Sequence, residues 1–287
     1  MRASLRSNPL VREVVRSRIA QGSVLVTLIY VIIAAFGPQL APYSEIEMLT
    51  LPRQAPSAEH WFGTDEIGRD IFSRMLVSAR VAITVGFVAV GISLIVGSVM
   101  GIVAGYFGGW LDATLMRVVD VLLAFPGILL ALAVITFLGP GLTNTMIAIG
   151  IGGIPGYARL VRGEVLSLLE RDHVTAARSL GANHVRVMAK HITPLLLSSI
   201  LVFSTAQLAR AILAEAGLSY LGLGVQPPFP SWGGMISSGQ RFFLSAPYMA
   251  IYPGMAIMVL VLALNMLGDS LRDALNPQLR KATSRNA

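Results

Sequence analysis

The chain has 287 residues, of which 54% are hydrophobic and 13% are charged, and its mean hydropathy is +0.70. This composition excludes an ordinary soluble globular protein and predicts an integral membrane protein. The absence of cysteine excludes disulfides and thiolate metal sites, whereas the net charge of +7 raises the question of a nucleic-acid partner.

Charge-free intervals predict six membrane-spanning helices, because a bilayer core needs about 20 apolar residues per helix. The interval from Val121 to Ala158 carries no charge and is too long for one span, and Gly139-Pro140-Gly141 divides it into a hairpin. The predicted spans are residues 20–40, 81–107, 120–138, 142–160, 194–214 and 246–268.

The positions of the 22 Lys and Arg residues predict the topology, because 16 of them fall between alternate spans and in the two tails. This positive-inside bias places both termini in the cytoplasm and accounts for the basic charge without a nucleic acid. The arginines before the first apolar run could also belong to a cleaved signal peptide. Cleavage would leave five spans and invert the bias, so an uncleaved anchor is predicted.

These spans divide the chain into five predicted regions. Residues 1–19 form a cytoplasmic tail, either an amphipathic surface helix or a disordered segment. The other regions are the first transmembrane helix at 20–40, an extracytoplasmic segment at 41–80, a five-helix core at 81–268 with a cytoplasmic loop at 161–193, and a cytoplasmic tail at 269–287.

The end of the extracytoplasmic segment predicts a short helix before the second span. Thr64 or Asp65 is expected to cap it, and Asp70 stands four residues before Arg74, the favourable order for an ion pair. Its interpretation is either a solvated interfacial helix or a ligand contact. The apolar face of this helix would consist of Ile67, Ile71, Met75 and Ala79.

In the second span, small residues recur every four positions and predict close packing against another helix, of this chain or of a different subunit. This stripe consists of Ser93, Gly97, Gly101 and Gly105. In the third span, Phe125-Pro126 is expected to kink the helix or to begin its apolar part. The proline has either a gating or a purely structural role.

The fifth span carries Arg210, and Glu215 follows it. Ionisable groups at membrane depth usually face a bundle interior or a water-filled path, although Arg210 could also snorkel to the interface. The Gly- and Pro-rich stretch beyond them holds Tyr220 and Trp232 and is typical of a re-entrant or interfacial loop. These four residues are the candidates for a pathway or an outer gate.

Residues 170–194 form the longest strongly charged stretch between two apolar spans and predict helix, turn, helix. Asp172 is expected to cap the first helix, Gly181 to end it in the left-handed conformation, and Asn183 to cap the second. Ala176 and Ala177 would let the backbone of a partner approach closely. The alternatives are a surface loop without a partner and a DNA reader, the latter disfavoured because membrane spans tether both ends.

Chemistry of other kinds is not indicated. The sequence has no phosphate-binding G-x-x-x-x-G-K-[ST] loop, since its only lysines are Lys190 and Lys281. His173, His184 and His191 lack metal-site spacing, and no G-x-S-x-G nucleophile motif occurs. The sequence therefore predicts no catalytic residue, no metal site and no enzyme activity in this chain.

The pattern Ala176-Ala177-x-x-x-Gly181, followed by residues 191–194 as HITP, resembles the cytoplasmic "EAA" loop of bacterial ABC-importer permeases, with Thr175 in place of the usual Glu. GTDxxGRDxxSR before the second span and EAxLSxLGLGxxPPxPSWG after the fifth resemble the dipeptide/oligopeptide (DppC/OppC-like) branch. The resemblance extends over residues 60–268. It implies an all-α fold of six transmembrane helices, the type I ABC-importer permease (MetI-like) fold.

The same resemblance implies a function, partners and a location. The chain would be half of a translocation pathway for di- and oligopeptides in the bacterial cytoplasmic (inner) membrane. Its partners would be a second homologous permease, an extracytoplasmic substrate-binding protein and two ABC ATPase subunits, which would hold ATP and Mg²⁺. Nickel, glutathione or opines are alternative solutes, and an ion-coupled secondary transporter is the alternative class. Coupling to the ATPase is expected at Asp172, Thr175, Ala176, Ala177, Gly181 and Ala182.

Overall fold

The computed structural model describes residues 17–275, so residues 1–16 of the predicted N-terminal tail and the last twelve residues lie outside the described part. Within that part the fold is entirely helical, and its only β-type pairing is an isolated bridge between Thr64 and Asp70. The helices are α1 (Arg18–Leu40), α2 (Ile71–Phe107), α3 (Gly109–Leu123), α4 (Gly127–Leu138), α5 (Leu142–Leu169), α6 (Asp172–Ser179), α7 (His184–Tyr220), α8 (Trp232–Gln240) and α9 (Tyr248–Leu275).

Four of the described helices, α1, α2, α7 and α9, are long and apolar enough to cross a membrane. Helices α3 and α4 together make a fifth candidate span, bent by 92°. The remaining predicted span, 142–160, is helical as part of the 28-residue α5. Its polar start, Thr143-Asn144-Thr145, and its glycines make α5 less apolar than the others.

The bend between α3 and α4 confirms the predicted kink at Phe125-Pro126. Proline has no N–H to donate to the preceding turn, so α3 ends at Leu123 and α4 starts again after Pro126. The Pro126 carbonyl accepts the N–H of Leu130 at 3.0 Å, the first bond of the new helix. The predicted third span is therefore two helices at nearly a right angle.

The expected helix cap at Thr64 or Asp65 is wrong. Asp65 closes a tight loop by accepting the N–H groups of Ile67 and Arg69 at 3.0 and 2.9 Å. Asp70 is the N-cap of α2, because its Oδ2 accepts the N–H of Ser73 at 2.7 Å. The second predicted span thus belongs to a helix that begins ten residues earlier, at Ile71.

The expected ion pair between Asp70 and Arg74 does not form either. The second carboxylate oxygen of Asp70, Oδ1, lies 2.9 Å from Nδ1 of the buried His60. The Arg74 guanidinium instead lies 3.5 Å from the carboxylate of Asp65. Both carboxylate oxygens of Asp70 therefore have partners, Ser73 on Oδ2 and His60 on Oδ1.

The small-residue stripe of α2 lies against α5 of the same chain. A Cβ on Gly97 would meet the Ile154 carbonyl oxygen at 2.6 Å, and one on Gly101 would meet that of Ala158 at the same distance. At the start of the stripe, Ser93 Oγ donates to the Gly150 carbonyl oxygen at 2.7 Å. The absence of side chains lets the two backbones touch, as helix packing in lipid requires.

Helix α1 packs against α2 and contains Pro38, which cannot donate to the carbonyl of Ala34. Arg80 of α2 supplies the missing donor, because its Nε lies 3.0 Å from the Ala34 oxygen. Its Nη2 lies 2.7 Å from the oxygen of Ala35. One arginine therefore satisfies the backbone that the proline leaves open.

Residues 41–70, the 221–231 loop and α8 cover the end of the bundle that carries the start of α2, hereafter the cap end. Three long-range bonds hold this cover together. Tyr248 donates to the Gln54 carbonyl at 2.8 Å, Trp232 Nε1 to that of Met75 at 3.2 Å, and Arg74 Nη1 to that of Pro228 at 3.3 Å.

Candidate functional site

A cavity of about 330 Å³ lies among α2, α4, α5 and α7. Most of its wall is glycine or aliphatic, including Ala131 of α4, Gly153 of α5 and Leu218 of α7. Three lining residues have polar side chains, and these are Ser93, Gln207 and Arg210. A mostly apolar pocket with a few polar groups is the usual form of a small-molecule site.

The three polar side chains of the lining differ in their burial and in their hydrogen-bond partners. Ser93 is buried and donates its hydroxyl to the Gly150 carbonyl, so it serves the packing of α2 on α5. Arg210 is exposed, and its Nη1 donates to Gln207 Oε1 at 3.1 Å. No carboxylate of residues 17–275 lies within ion-pair distance of Arg210. The cavity therefore presents one uncompensated positive charge.

Sequence reasoning singled out Arg210 but not the cavity, which depends on the bend between α3 and α4. Because α4 turns away from the line of α3, Ala131 and Ile135 pack against Ala148 of α5 and Leu218 of α7. Gly127 and Ile128 at the start of α4 then line the space beside Arg210. Pro126 was the only sequence signal of this arrangement.

The other three pathway candidates lie outside the cavity lining, toward the cap end. Glu215 is buried, and its Oε1 accepts the Ser219 hydroxyl at 2.6 Å. Tyr220 donates to the Gln240 side chain of α8. Trp232 is buried beside Tyr30, with the rings edge to face and their centroids 5.9 Å apart. The structure gives these three side chains partners within the fold.

At the opposite end of the bundle, α6 and the following turn stand out from the surface. Of the predicted coupling residues, Asp172, Thr175, Ala176 and Gly181 are exposed, whereas Ala177 and Ala182 are half-buried. Gly181 has a φ of +80° and ends α6 as expected. Leu180 is 88% exposed, which leaves a large apolar side chain without cover beside the turn.

Of the two N-cap predictions in this segment, the one for Asn183 is confirmed and the one for Asp172 is wrong. Asn183 caps α7, because its Oδ1 accepts the N–H of Arg186 at 2.8 Å. Asp172 does not cap α6. Arg171 is at the N-cap position without a side-chain bond, and Asp172 is the first helical residue. A carboxylate in the first turn still interacts favourably with the helix dipole.

Two contacts tie the α6 segment to the rest of the bundle. Val174 is fully buried in an apolar cluster with Leu168 of α5 and with Val187 and Leu196 of α7. At the end of α2, the Tyr106 ring centroid lies 5.9 Å from the guanidinium carbon of Arg178 of α6, and the Tyr106 hydroxyl lies 2.9 Å from Nδ1 of His184, the first residue of α7. Helix α6 is thereby in contact with α2, α5 and α7.

The first turns of α7 have an unusual geometry, which sequence reasoning missed. Val187–Ile192 forms a π-helical turn, and Thr193 Oγ1 donates to the Met188 carbonyl at 2.9 Å. Pro194 lacks the N–H that would bond to Lys190 in a regular α-helix. The available signal was therefore the proline, and such turns often occur at functional sites.

Two ion pairs between α3 and α5 also escaped the sequence reasoning. Arg162 binds Asp112 through two nitrogens, each 2.6 Å from a different carboxylate oxygen. Arg159 binds Asp120 at 2.7 Å, but more than half of each side chain is exposed. Exposed pairs contribute little, whereas a bidentate arginine pair fixes orientation. The Asp112–Arg162 pair therefore fixes the position of α3 beside α5.

Comparison with known proteins decides the family. A family profile described as "Binding-protein-dependent transport system inner membrane component" matches residues 97–281, well over half of the chain. The chain belongs to this family. The match begins within the glycine stripe of α2 and includes the whole of α6 and the Gly181 turn.

Curated members of this family resemble the chain over nearly its full length. The dipeptide transport system permease protein DppC of Alkalihalophilus pseudofirmus is 44% identical over 94% of this chain and 89% of the relative. The glutathione transport system permease protein GsiD of Pectobacterium atrosepticum is 43% identical over 94% and 90%, respectively. The chain is thus an ABC-importer permease related to both groups, and an integral inner-membrane protein with several spans.

Solved structures agree on the fold. The methionine ABC transporter MetNI in an inward-facing conformation matches with a TM-score of 0.58 at 19% identity, covering 70% of this chain and 96% of that chain. An amino acid ABC transporter crystallised with histidines matches with a TM-score of 0.55 at 18% identity, covering 70% and 94%. These likenesses confirm the all-helical MetI-like permease fold.

Proposed function

We propose that this permease forms one half of the membrane pathway of an importer for di- and oligopeptides, and that α6 with the Gly181 turn is its contact with a separate ATPase subunit. The observation that carries the proposal is the exposed α6 turn, anchored by Val174 to α5 and α7. The peptide solute is supported by the DppC relative. In this proposal α6 and both chain termini face the cytoplasm.

The remaining partners follow from the family and stay part of the proposal. A second permease would complete the pathway, two ATPase subunits would bind ATP and Mg²⁺, and an extracytoplasmic binding protein would deliver the solute. The chain itself then needs no cofactor. Two observations support a borrowed energy source: the lack of a phosphate-binding loop in the sequence and the family's dependence on a binding protein.

The contacts of α6 suggest how movement would pass through the chain. When ATP closes the ATPase dimer, the α6 segment moves as a rigid body, because Val174 is locked in the apolar cluster. Its contacts reach α5 and α7 through that cluster and α2 through the Arg178 guanidinium over the Tyr106 ring. All three helices line the cavity, so the displacement alters the pathway directly.

Glutathione is a second candidate solute, favoured by relatives named as glutathione permeases that are 43–44% identical to this chain. It is itself a tripeptide, so one pathway could serve both classes. Uptake of a labelled dipeptide, with unlabelled glutathione or dipeptide as competitor, separates the two in cells that express the complete system.

The first test uses Gly181, where a side chain would meet no atom within 4 Å. Gly181→Arg adds a bulky charge to the proposed contact, and Gly181→Asn is the matched control because asparagine tolerates the left-handed conformation. We expect wild type and Gly181→Asn to copurify a P-loop ATPase and a second permease. We expect Gly181→Arg to lose most of the ATPase and of the uptake while still entering the membrane.

The second permease is the internal control of this pull-down. Its recovery with Gly181→Arg shows that the variant is folded and that the loss is specific to the ATPase. Normal uptake by Gly181→Arg would overturn the proposed contact. Failure of wild type to recover either partner in mild detergent would overturn the importer assembly itself.

A further inference from the structure

We propose that Arg210 makes the cavity a site for anionic groups, and that it contacts a carboxylate of the solute as the solute passes. This inference rests on the proposed import of peptides, whose common feature is a terminal carboxylate. Arg210 would act by binding and selecting the solute. The one other charged residue toward the end of α7, Glu215, would take no part in solute binding.

The position of Arg210 in α7 supports a role inside the bundle. The helix continues to Tyr220, ten residues beyond Arg210, which corresponds to about 15 Å along the axis. The predicted span ended only four residues after Arg210, so the structure removes the main reason to expect snorkelling. A charge this far from the helix end lies in the walls of the cavity.

The charge of Arg210 has no counter-ion among the described residues. The cavity lining contains no Asp or Glu, and Arg210 is its single cationic side chain within residues 17–275. Its bond to Gln207 neutralises nothing, because the amide is uncharged. An isolated charge in apolar surroundings attracts an anion more strongly than one in water.

The donors of Arg210 match a carboxylate. A guanidinium carries five N–H groups in a planar fork, and the bond to Gln207 uses one of them. The bond also holds the guanidinium beside α7, so less side-chain freedom is lost when an anion binds. Of the other two lining groups that can donate, Ser93 is already bonded to the Gly150 carbonyl and Gln207 carries an uncharged amide.

The volume and the lining of the cavity are suited to the carboxyl end of a small solute. Its volume of about 330 Å³ falls at the lower end of the range for small-molecule pockets. Ala131, Gly153 and Leu218 offer only apolar surface around the charge. This arrangement suits a carboxylate attached to a small peptide residue, and selects against a free cation.

The test measures the local potential and needs no transport. Because the chain has no cysteine, Ala214→Cys introduces a unique thiol on the cavity wall, one helical turn from Arg210. Purified protein in lipid nanodiscs is treated with anionic sulfonatoethyl or cationic trimethylammonioethyl methanethiosulfonate. The labelling rate of this chain is followed by intact mass.

We expect the anionic reagent to be favoured in Ala214→Cys, and Arg210→Gln to lower the anion-to-cation rate ratio by at least about tenfold, because one unit charge acts on the two reagents with opposite sign. Arg210→Lys should keep most of the preference. Leu244→Cys, at a fully exposed position, is the control, and its ratio should be unaffected by Arg210→Gln. An unchanged ratio at Ala214→Cys would overturn the proposal.

A protection experiment distinguishes a solute carboxylate from other anions. N-acetylalanine and N-acetylalaninamide differ only in the charge of the carboxyl end, and the first alone should slow labelling of Ala214→Cys. Protection must disappear with Arg210→Gln. Equal protection by inorganic phosphate would assign the site to phosphate groups such as those of lipids and would contradict a carboxylate site. If the complete wild-type system imports no peptide although Ala214→Cys still favours the anionic reagent, only the proposed function is overturned.

Discussion

At the residue scale, Gly101 shows how one absent side chain sets the distance between two helices. We predict that Gly101→Ala lowers the free energy of unfolding by about 1–3 kcal/mol, as overpacking in a core does. A Cβ there would lie 2.6 Å from the Ala158 oxygen and 2.9 Å from the Val161 Cβ, and neither atom can move without its helix. Thermal unfolding of the purified protein in detergent measures the effect.

Gly91 is the matched control, because it lies in the same helix with no atom within 4 Å of its missing Cβ. Gly91→Ala should be neutral or stabilising by about 0.5–1 kcal/mol, the gain expected when alanine replaces glycine in a helix. Equal stability of Gly101→Ala and Gly91→Ala would show that α2 and α5 do not touch at the stripe.

The local conformation of some residues could be predicted from the sequence because it depends only on their neighbours in the chain. The left-handed Gly181 and the cap at Asn183 depend on a few neighbours, and both turned out as predicted. The cap of α2 was misplaced because Thr64, Asp65 and Asp70 all have the right chemistry. Only the turn that Asp65 closes, and the contact of Asp70 with the distant His60, decide among them.

At the scale of elements, α1 and α2 are joined where Pro38 interrupts the backbone bonding of α1. We predict that Arg80→Met lowers the free energy of unfolding by about 1–2 kcal/mol, because it leaves the Ala34 and Ala35 carbonyls without the guanidinium. In a Pro38→Ala background, residue 38 regains its N–H and can serve Ala34. The cost of Arg80→Met should then fall by about half.

A double-mutant cycle in thermal unfolding tests this dependence. The four proteins are wild type, the two single variants and the double variant. Additive effects, within the usual error of about 0.5 kcal/mol, would mean that Arg80 stabilises α1 independently of the proline. Arg80→Lys serves as the charge-preserving control and should recover only one of the two bonds.

The elements themselves were largely predictable, and their angles were not. Long charge-free intervals located α1, α7 and α9, and Pro126 indicated a break. The 92° between α3 and α4 follows from contacts of Ala131 and Ile135 with α5 and α7, which lie elsewhere in the sequence. The cavity depends on this angle. Arg210 was therefore identified as a candidate while its surroundings were not.

At the scale of the whole molecule, the cap end is held by bonds between the first and last thirds of the chain. We predict that Tyr248→Phe increases hydrogen exchange in residues 53–65 by up to about tenfold, since one lost bond corresponds to about 0.5–1.5 kcal/mol. The Tyr248 hydroxyl bonds to the Gln54 carbonyl, which also accepts the N–H of Thr64 at 3.0 Å. Exchange followed by mass spectrometry reports on this segment directly.

Tyr252→Phe is the matched control for that measurement. The Tyr252 ring stacks on Phe62 with centroids 4.3 Å apart, so removal of its hydroxyl leaves the stacking in place. It should leave exchange in residues 53–65 unchanged. Identical exchange in both variants and wild type would mean that ring packing alone holds the segment.

A further long-range bond, between α1 and α9, constrains how the protein is made. Tyr30 of α1 donates to the Ala256 carbonyl of α9 at 2.9 Å, although 226 residues separate them. A ribosome adding about 5–20 residues per second needs roughly 10–45 s to cover that interval. The first helix therefore enters the membrane long before its partner exists. A chain that stops short of α9 lacks Tyr248, so it cannot form the bond to Gln54 that closes the cap end.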